Sequence, residues 1–231
     1  MAPGIGRLFD GARMDQMDGV NSPSGAMNVF LFLSMWVTMM VAMMFPSAAP
    51  MVVAHWRLTY QRGGRFATVP LLAAGYLLSW TAVGVVAFAL YRAILRLAPS
   101  LSLRSASMLA GGILVAAGVY QFTPLKSVCL RHCRNPVEFL AHWKEGLAGA
   151  ARMGVKHGLY CVGCCWGLML VLFAVGLANI AWMGFLAAVI FLEKIAPFGW
   201  AVRKGVGAGL VVLGGAVVAM PALFAGSLLT G

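Results

Sequence analysis

The chain has 231 residues, of which 61% are hydrophobic and 10% are charged, and its mean hydropathy is +0.89. Soluble domains contain about 45–50% apolar and about 25% charged residues, so this composition excludes an ordinary water-soluble domain and predicts an integral membrane protein. The formal net charge of +11 does not predict a nucleic-acid partner. The basic residues stand in short loops between apolar runs, a pattern typical of membrane topology and of contact with the lipid bilayer.

Six apolar runs predict an all-α fold, a polytopic transmembrane helical bundle of about six spans. They cover residues 27–54, 66–91, 106–123, 158–178, 180–195 and 205–227. Pro46 should kink or break the first run. Between the third and fourth runs, residues 137–151 alternate apolar and charged positions at helical spacing and predict an amphipathic helix along the interface. We expect a polar N-terminal tail over residues 1–26, without a signal-peptide core, and one transmembrane domain over residues 27–231.

The Lys and Arg residues predict the orientation of the bundle. With six spans, twelve of them fall in the loops after the first, third and fifth helices, and five fall on the opposite side. The positive-inside rule therefore places the cysteine-rich loop in the cytoplasm and both termini outside. Gly205 and Gly209 in the last run form a G-x3-G pair, which predicts a helix-packing surface and a route to an oligomer.

Five cysteines form two short groups that flank the loop between the third and fourth runs. They are Cys129 and Cys133, spaced C-x3-C, and Cys161, Cys164 and Cys165, spaced C-x2-C-C. On a helix, positions i, i+4, i+7 and i+8 share a face, so His157 would lie on the same face as the second group. In the reducing cytoplasm such clusters more often bind metal or act in catalysis than form disulfides. Thiolates with one imidazole suit Cu(I), Zn(II) or an iron–sulfur centre. The alternative is that cysteine is buried simply as a small apolar residue. This explains a lone cysteine well, but it does not explain why all five fall in two short clusters.

The first run also carries methionines at helical spacing. Met39 and Met43 are four residues apart and would lie on one helix face. Thioethers are soft ligands that favour Cu(I), so this row predicts an intramembrane path for a soft ion. A methionine stripe is equally typical of helix packing, and both interpretations stay open.

Glu193 is the one acidic residue close to a predicted membrane core. Ionisable groups at that depth are candidates for function. The alternative is an interfacial ion pair of Glu193 with Lys194 or with a loop arginine.

Four stretches together resemble a known family. They are AMMFPSAAP (42–50), YQFTPLKSVCLRHCRNP (120–136), CVGCCWGLM (161–169) and WMGFLAAVIFLEK (182–194). They are similar to a bacterial family of predicted metal-binding integral membrane proteins, a domain of unknown function with C-x3-C and C-x2-C-C motifs. The resemblance extends from about residue 30 to residue 195. It implies metal binding at the five cysteines, a family-like Glu193–Lys194 pair, and a place in the bacterial inner membrane.

The sequence therefore predicts a membrane protein that handles a soft metal ion, with copper favoured over zinc. It would bind the ion, transfer it, or deliver it to a membrane metalloenzyme or metallochaperone partner. The candidate ligands are Cys129, Cys133, Cys161, Cys164, Cys165, auxiliary His157, Met39 and Met43.

Two alternatives come from other classes of protein. One is a thiol–disulfide oxidoreductase in which Cys161 and Cys164 cycle between dithiol and disulfide. The other is a structural-zinc subunit of a larger membrane complex. The sequence contains no phosphate-binding loop and no hydrolase motif, so an enzyme is the less favoured interpretation.

Overall fold

The computed structural model describes residues 25–97, 102–135, 146–175 and 180–220. These residues form seven α-helices and no strand, which confirms the all-α class. The helices are α1 (Gly25–Gln61), α2 (Thr68–Leu97), α3 (Leu103–Phe122), α4 (Pro124–Arg134), α5 (Leu147–Val175), α6 (Ile180–Ile195) and α7 (Gly199–Ala219). Residues 1–24, most of the predicted tail, lie outside the described residues.

Five helices contain segments long and apolar enough to cross a membrane, judged by length and composition alone. These are α1, α2, α3, α5 and α7. The fifth predicted run does form a helix, α6, but its 16 residues are fewer than the roughly 20 that a span needs. The number of spans supported is therefore five, and the sixth stays a prediction.

The first helix is longer and more continuous than predicted. α1 runs from Gly25 to Gln61 with Pro46 and Pro50 inside it, so the predicted break does not occur. Each proline removes only one backbone donor, and helical bonds on either side continue. The helix is fixed against its neighbour α2, where the Trp36 indole donates to the Trp80 carbonyl at 2.9 Å.

The fourth predicted span also begins earlier than expected. Residues 136–145, most of the predicted interfacial helix, lie outside the described residues, but residues 147–151 form the first turns of α5. A separate interfacial helix reaching residue 151 is therefore wrong. The reason is close packing of small residues: a Cβ placed on Gly154 would lie 2.0 Å from the Leu72 carbonyl oxygen of α2. This contact holds the polar start of α5 in line with its apolar remainder.

A second small-residue contact joins α3 to α7. A Cβ on Gly118 would lie 2.8 Å from the Gly207 carbonyl oxygen, and one on Gly214 would lie 2.7 Å from that of Gly111. The predicted pair, Gly205 and Gly209, has open space around it. The predicted pair is therefore wrong for packing within the chain. The glycines of α7 that face α3 are Gly207 and Gly214, which are seven residues apart and not four. A role for Gly205 and Gly209 in an oligomer stays a prediction.

Candidate metal centre

Three thiols from α5 converge in the interior of the bundle. The Sγ atoms of Cys161, Cys164 and Cys165 all lie within 4.8 Å of one another, and that of Cys164 is 3.3 Å from that of Cys165. The spacing i, i+3, i+4 brings the three onto one helix face. All three are at most 1% exposed. The fourth predicted run, 158–178, places these cysteines at its start. Because α5 begins at Leu147, the three-thiol group instead lies half-way along the helix.

A fourth sulfur comes from another helix. Cys133 Sγ is 3.8 Å from Cys164 Sγ, and Cys133 is the one cysteine of the five that is only partly buried. Cys133 and Cys129 both lie on α4, one helical turn apart. That helix starts with Pro124 in its first turn and is capped by the Thr123 side chain, which accepts from the Lys126 backbone N–H.

Cys129 is not joined to the three-thiol group. Its Sγ lies against Gly163, where an added Cβ would come within 2.7 Å of the sulfur. Burial raises the pKa of the Cys129 thiol, which favours the neutral form. The geometry therefore separates one predicted ligand, Cys129, from the other four cysteines.

A buried lysine contacts the three-thiol group. Lys194 Nζ, at the end of α6, is 3.0 Å from Cys161 Sγ and donates to Ser47 Oγ of α1 at 3.1 Å. The Tyr76 hydroxyl of α2 is 3.1 Å from the same sulfur. A cation at this distance in an interior of low dielectric stabilises negative charge on sulfur. Sequence reasoning singled out Lys194 but missed its thiol contact, and it missed Tyr76 and Ser47 entirely.

The remaining predicted ligands lie near this centre without joining it. His157 is buried one turn before Cys161, with its ring 5.8 Å from the Tyr76 ring. Its ring nitrogens are not among the potential ligand atoms that lie within 4.8 Å of one another. Met39 and Met43 are buried in the same core cluster as the thiols. Met43 lies one turn before Ser47, so the methionine row leads toward the lysine that contacts Cys161.

Glu193 pairs with a residue that neither predicted alternative named. Its Oε2 is 2.7 Å from Lys126 Nζ, and both side chains are buried. Lys126 also donates to the Gln121 side-chain oxygen. This pair joins α4, which carries Cys133, to α6, which carries Lys194. The predicted partners, Lys194 and a loop arginine, were wrong: Arg134 instead donates to the Glu193 backbone carbonyl at 3.3 Å.

The chain matches one known family over most of its length. The sequence model of the PpoB2 family, described as copper chaperones, covers residues 33–217. The chain belongs to this family. The match extends from α1 into α7 and contains every residue of the centre described above, and it supports the predicted metal-binding family and the preference for copper. No curated protein and no solved structure matches the chain.

The chemistry of this donor set fits the PpoB2 description. Thiolate sulfur is a soft ligand that selects Cu(I), with Zn(II) as the other common partner. A structural zinc site is normally closed by four ligands in a tetrahedron. Here three thiols come from one helix, and the fourth, Cys133, belongs to a helix of only 11 residues and is more exposed. A site with one accessible ligand is suited to receiving and releasing an ion.

Proposed function

We propose that this protein carries Cu(I) within the membrane on the thiols of Cys161, Cys164 and Cys165, and passes it to a metalloenzyme. The observation that carries the proposal is the convergence of three buried thiols within 4.8 Å in a chain of the copper chaperone family. Copper is the cargo here. Cys133, 3.8 Å from Cys164, would be the sulfur through which copper reaches or leaves the group by ligand exchange.

The membrane placement rests on the helices. Five of them have the length and composition of membrane spans. The first half of α7 packs against the end of α3, since a Cβ on Gly207 would lie 2.8 Å from the Gln121 side chain. α6 would therefore return the chain across the bundle between α5 and α7, as a short sixth crossing. In this arrangement, with residues 27–231 as one transmembrane domain in the inner membrane, α4 and Cys133 face the cytoplasm, in keeping with the excess of Lys and Arg there.

The charges around the group favour a monovalent soft ion. Cu(I) on two thiolates and one neutral thiol would leave one net negative charge, which Lys194 Nζ, 3.0 Å from Cys161, would balance. Buried charges are tolerated when they are paired in this way. Met39 and Met43 would offer thioether sulfur along α1, while His157 and Cys129 would act outside the primary ligand set.

Burial argues against the oxidoreductase alternative. A catalyst of thiol–disulfide exchange needs an accessible nucleophilic thiol. Cys161 is 0% exposed and Cys164 is 1% exposed. A protein substrate could not reach either sulfur without opening the bundle.

Elemental analysis of the protein purified anaerobically in detergent tests the proposal. We expect about one copper per chain, as one soft three-sulfur site would bind, and loss of copper when Cys161, Cys164 and Cys165 are all changed to serine. Cys129→Ser is the matched control and should keep its copper. Copper content unchanged in the triple variant would overturn the proposal, and zinc in place of copper would favour the structural-zinc alternative.

A further inference from the structure

A cavity lined by arginines lies between α4 and the start of α7, apart from the thiols. It has a volume of about 280 Å³, and its lining includes Ser127, Arg131, Arg134, Asn135, Trp200 and Arg203. We call it the basic pocket. Three guanidinium groups and no carboxylate contribute to its wall.

The described residues supply one carboxylate near the basic pocket, Glu193, whose charge interacts with Lys126, Arg203 and Lys194. Of the six acidic residues in the sequence, only Glu193 falls in the described ranges. Its carboxylate is taken up by Lys126 at 2.7 Å. The three guanidinium groups of the pocket therefore outnumber the one described carboxylate, and this excess of positive charge favours binding of an anion.

Two of the guanidinium groups are held in place by the protein. Arg134 donates to the backbone carbonyls of Glu193 at 3.3 Å and Ala196 at 2.7 Å, which anchors it to the end of α6. Arg203 donates to Ser127 Oγ at 2.5 Å, across the cavity floor from α7 to α4. The Nε of Arg203 is buried and has no acceptor among the described residues. Groups fixed in this way lose little entropy when they bind an oxyanion.

The surroundings of the pocket add a helix terminus and an exposed tryptophan. Trp200 and Arg203 belong to the first two turns of α7, so the positive end of its dipole lies beside the pocket. Trp200, which lines the pocket, is 59% exposed. Lys204 Nζ lies 5.1 Å above the Trp200 ring. Arginine and lysine beside an exposed tryptophan are typical of the level of lipid headgroups.

We propose that the basic pocket binds the phosphate of an anionic phospholipid headgroup. The guanidinium groups of Arg203 and Arg131 would contact the phosphate oxygens, and the acyl chains would pack against the exposed ring of Trp200. Guanidinium groups pair with phosphate through two parallel hydrogen bonds, which an uncharged or purely apolar ligand cannot reproduce. The inference rests on the proposed membrane placement and is independent of copper binding.

Native mass spectrometry of the full chain in detergent tests this site. The probe is dioleoyl phosphatidylglycerol, and the comparison is dioleoyl phosphatidylcholine, whose phosphate charge is balanced by its own ammonium group. We expect one phosphatidylglycerol to bind preferentially, and Arg203→Gln to weaken it about tenfold, the loss typical of a charged hydrogen bond. Arg131→Gln, an exposed change that carries little risk to folding, should weaken it in the same direction. Arg104→Gln is the matched control, because Arg104 lies at the opposite end of α3, about 27 Å along the helix from Phe122.

Each outcome decides the question. Equal weakening by Arg104→Gln, or equal binding of the two lipids, would overturn the proposal in favour of non-specific attraction. Competition by inorganic phosphate at the same concentration as the lipid would assign the pocket to a free oxyanion instead. Phosphatidylglycerol binding that appears only after Glu138→Gln or Glu145→Gln would show that the chain's own carboxylates fill the pocket. The copper content of Arg203→Gln should equal that of the unaltered protein, which separates failure of this inference from failure of the copper proposal.

Discussion

Replacing Lys126 by methionine should destabilise the bundle strongly, because it leaves the buried Glu193 carboxylate without its charged partner. The Lys126–Glu193 pair is 2.7 Å long, and the two side chains are 1% and 3% exposed. The second carboxylate oxygen, Oε1, already has no hydrogen-bond partner among the described residues, so the carboxylate depends on Lys126. Removing one partner of a buried ion pair costs about 3–5 kcal/mol of the free energy of unfolding. For a chain of this size each kcal/mol lowers Tm by about 2–4 °C, so Lys126→Met should lower Tm by about 6–20 °C.

Thermal unfolding in detergent, followed by tryptophan fluorescence, measures this effect in a double-mutant cycle. Adding Glu193→Leu to Lys126→Met should recover most of the lost Tm, since an apolar pair of similar volume avoids the buried charge. Lys204→Met is the control: that lysine is exposed and contacts only the Trp200 ring in the described structure, so its loss should cost about 1 kcal/mol or less. A fall of under about 2 °C for Lys126→Met, or no recovery in the double variant, would refute the assignment of this pair as the link between α4 and α6.

Four further changes test the site and its scaffold. Cys133→Ser should slow the transfer of copper to a Cu(I) chelator, which is followed by absorbance, because the sulfur of Cys133 is 3.8 Å from that of Cys164. Cys129→Ser is the control and should not slow it. Equal transfer rates for the two variants would contradict this role of Cys133. Lys194→Met should weaken Cu(I) about tenfold in chelator competition, because it removes the charge beside Cys161. Gly154→Ala should lower stability by about 1–3 kcal/mol, because its Cβ would meet a backbone carbonyl at 2.0 Å. Gly112→Ala, with open space, should raise stability by about 0.5–1 kcal/mol.

Patterns between residues close in the sequence correctly predicted the helices and the helix face that carries the second cysteine group. The helices follow from long apolar runs, and the shared face of Cys161, Cys164 and Cys165 follows from the period of one helix. The two cysteine groups were expected to meet, but only Cys133 of the first group reaches the second. Which side of a short helix such as α4 faces its neighbour depends on its anchoring, here by the Lys126–Glu193 pair, which no local pattern encodes.

The contacts that sequence reasoning missed are all between distant residues. Lys194 lies 33 residues from Cys161, and Tyr76 lies 85 residues from it. One alternative paired Glu193 with Lys194, but adjacent residues on a helix point about 100° apart, so the two side chains contact different helices. The small-residue contact between α3 and α7 likewise depends on which face of α7 the chain buries, and a G-x3-G pattern does not specify that face.

X-ray absorption at the copper K-edge of the anaerobically loaded protein tests the central claim most directly. Copper held by Cys161, Cys164 and Cys165 predicts monovalent copper with an inner shell of sulfur alone, and a lower sulfur count in Cys164→Ser. An inner shell dominated by nitrogen or oxygen, or a sulfur shell unchanged in Cys164→Ser, would contradict it and place the copper elsewhere in the chain.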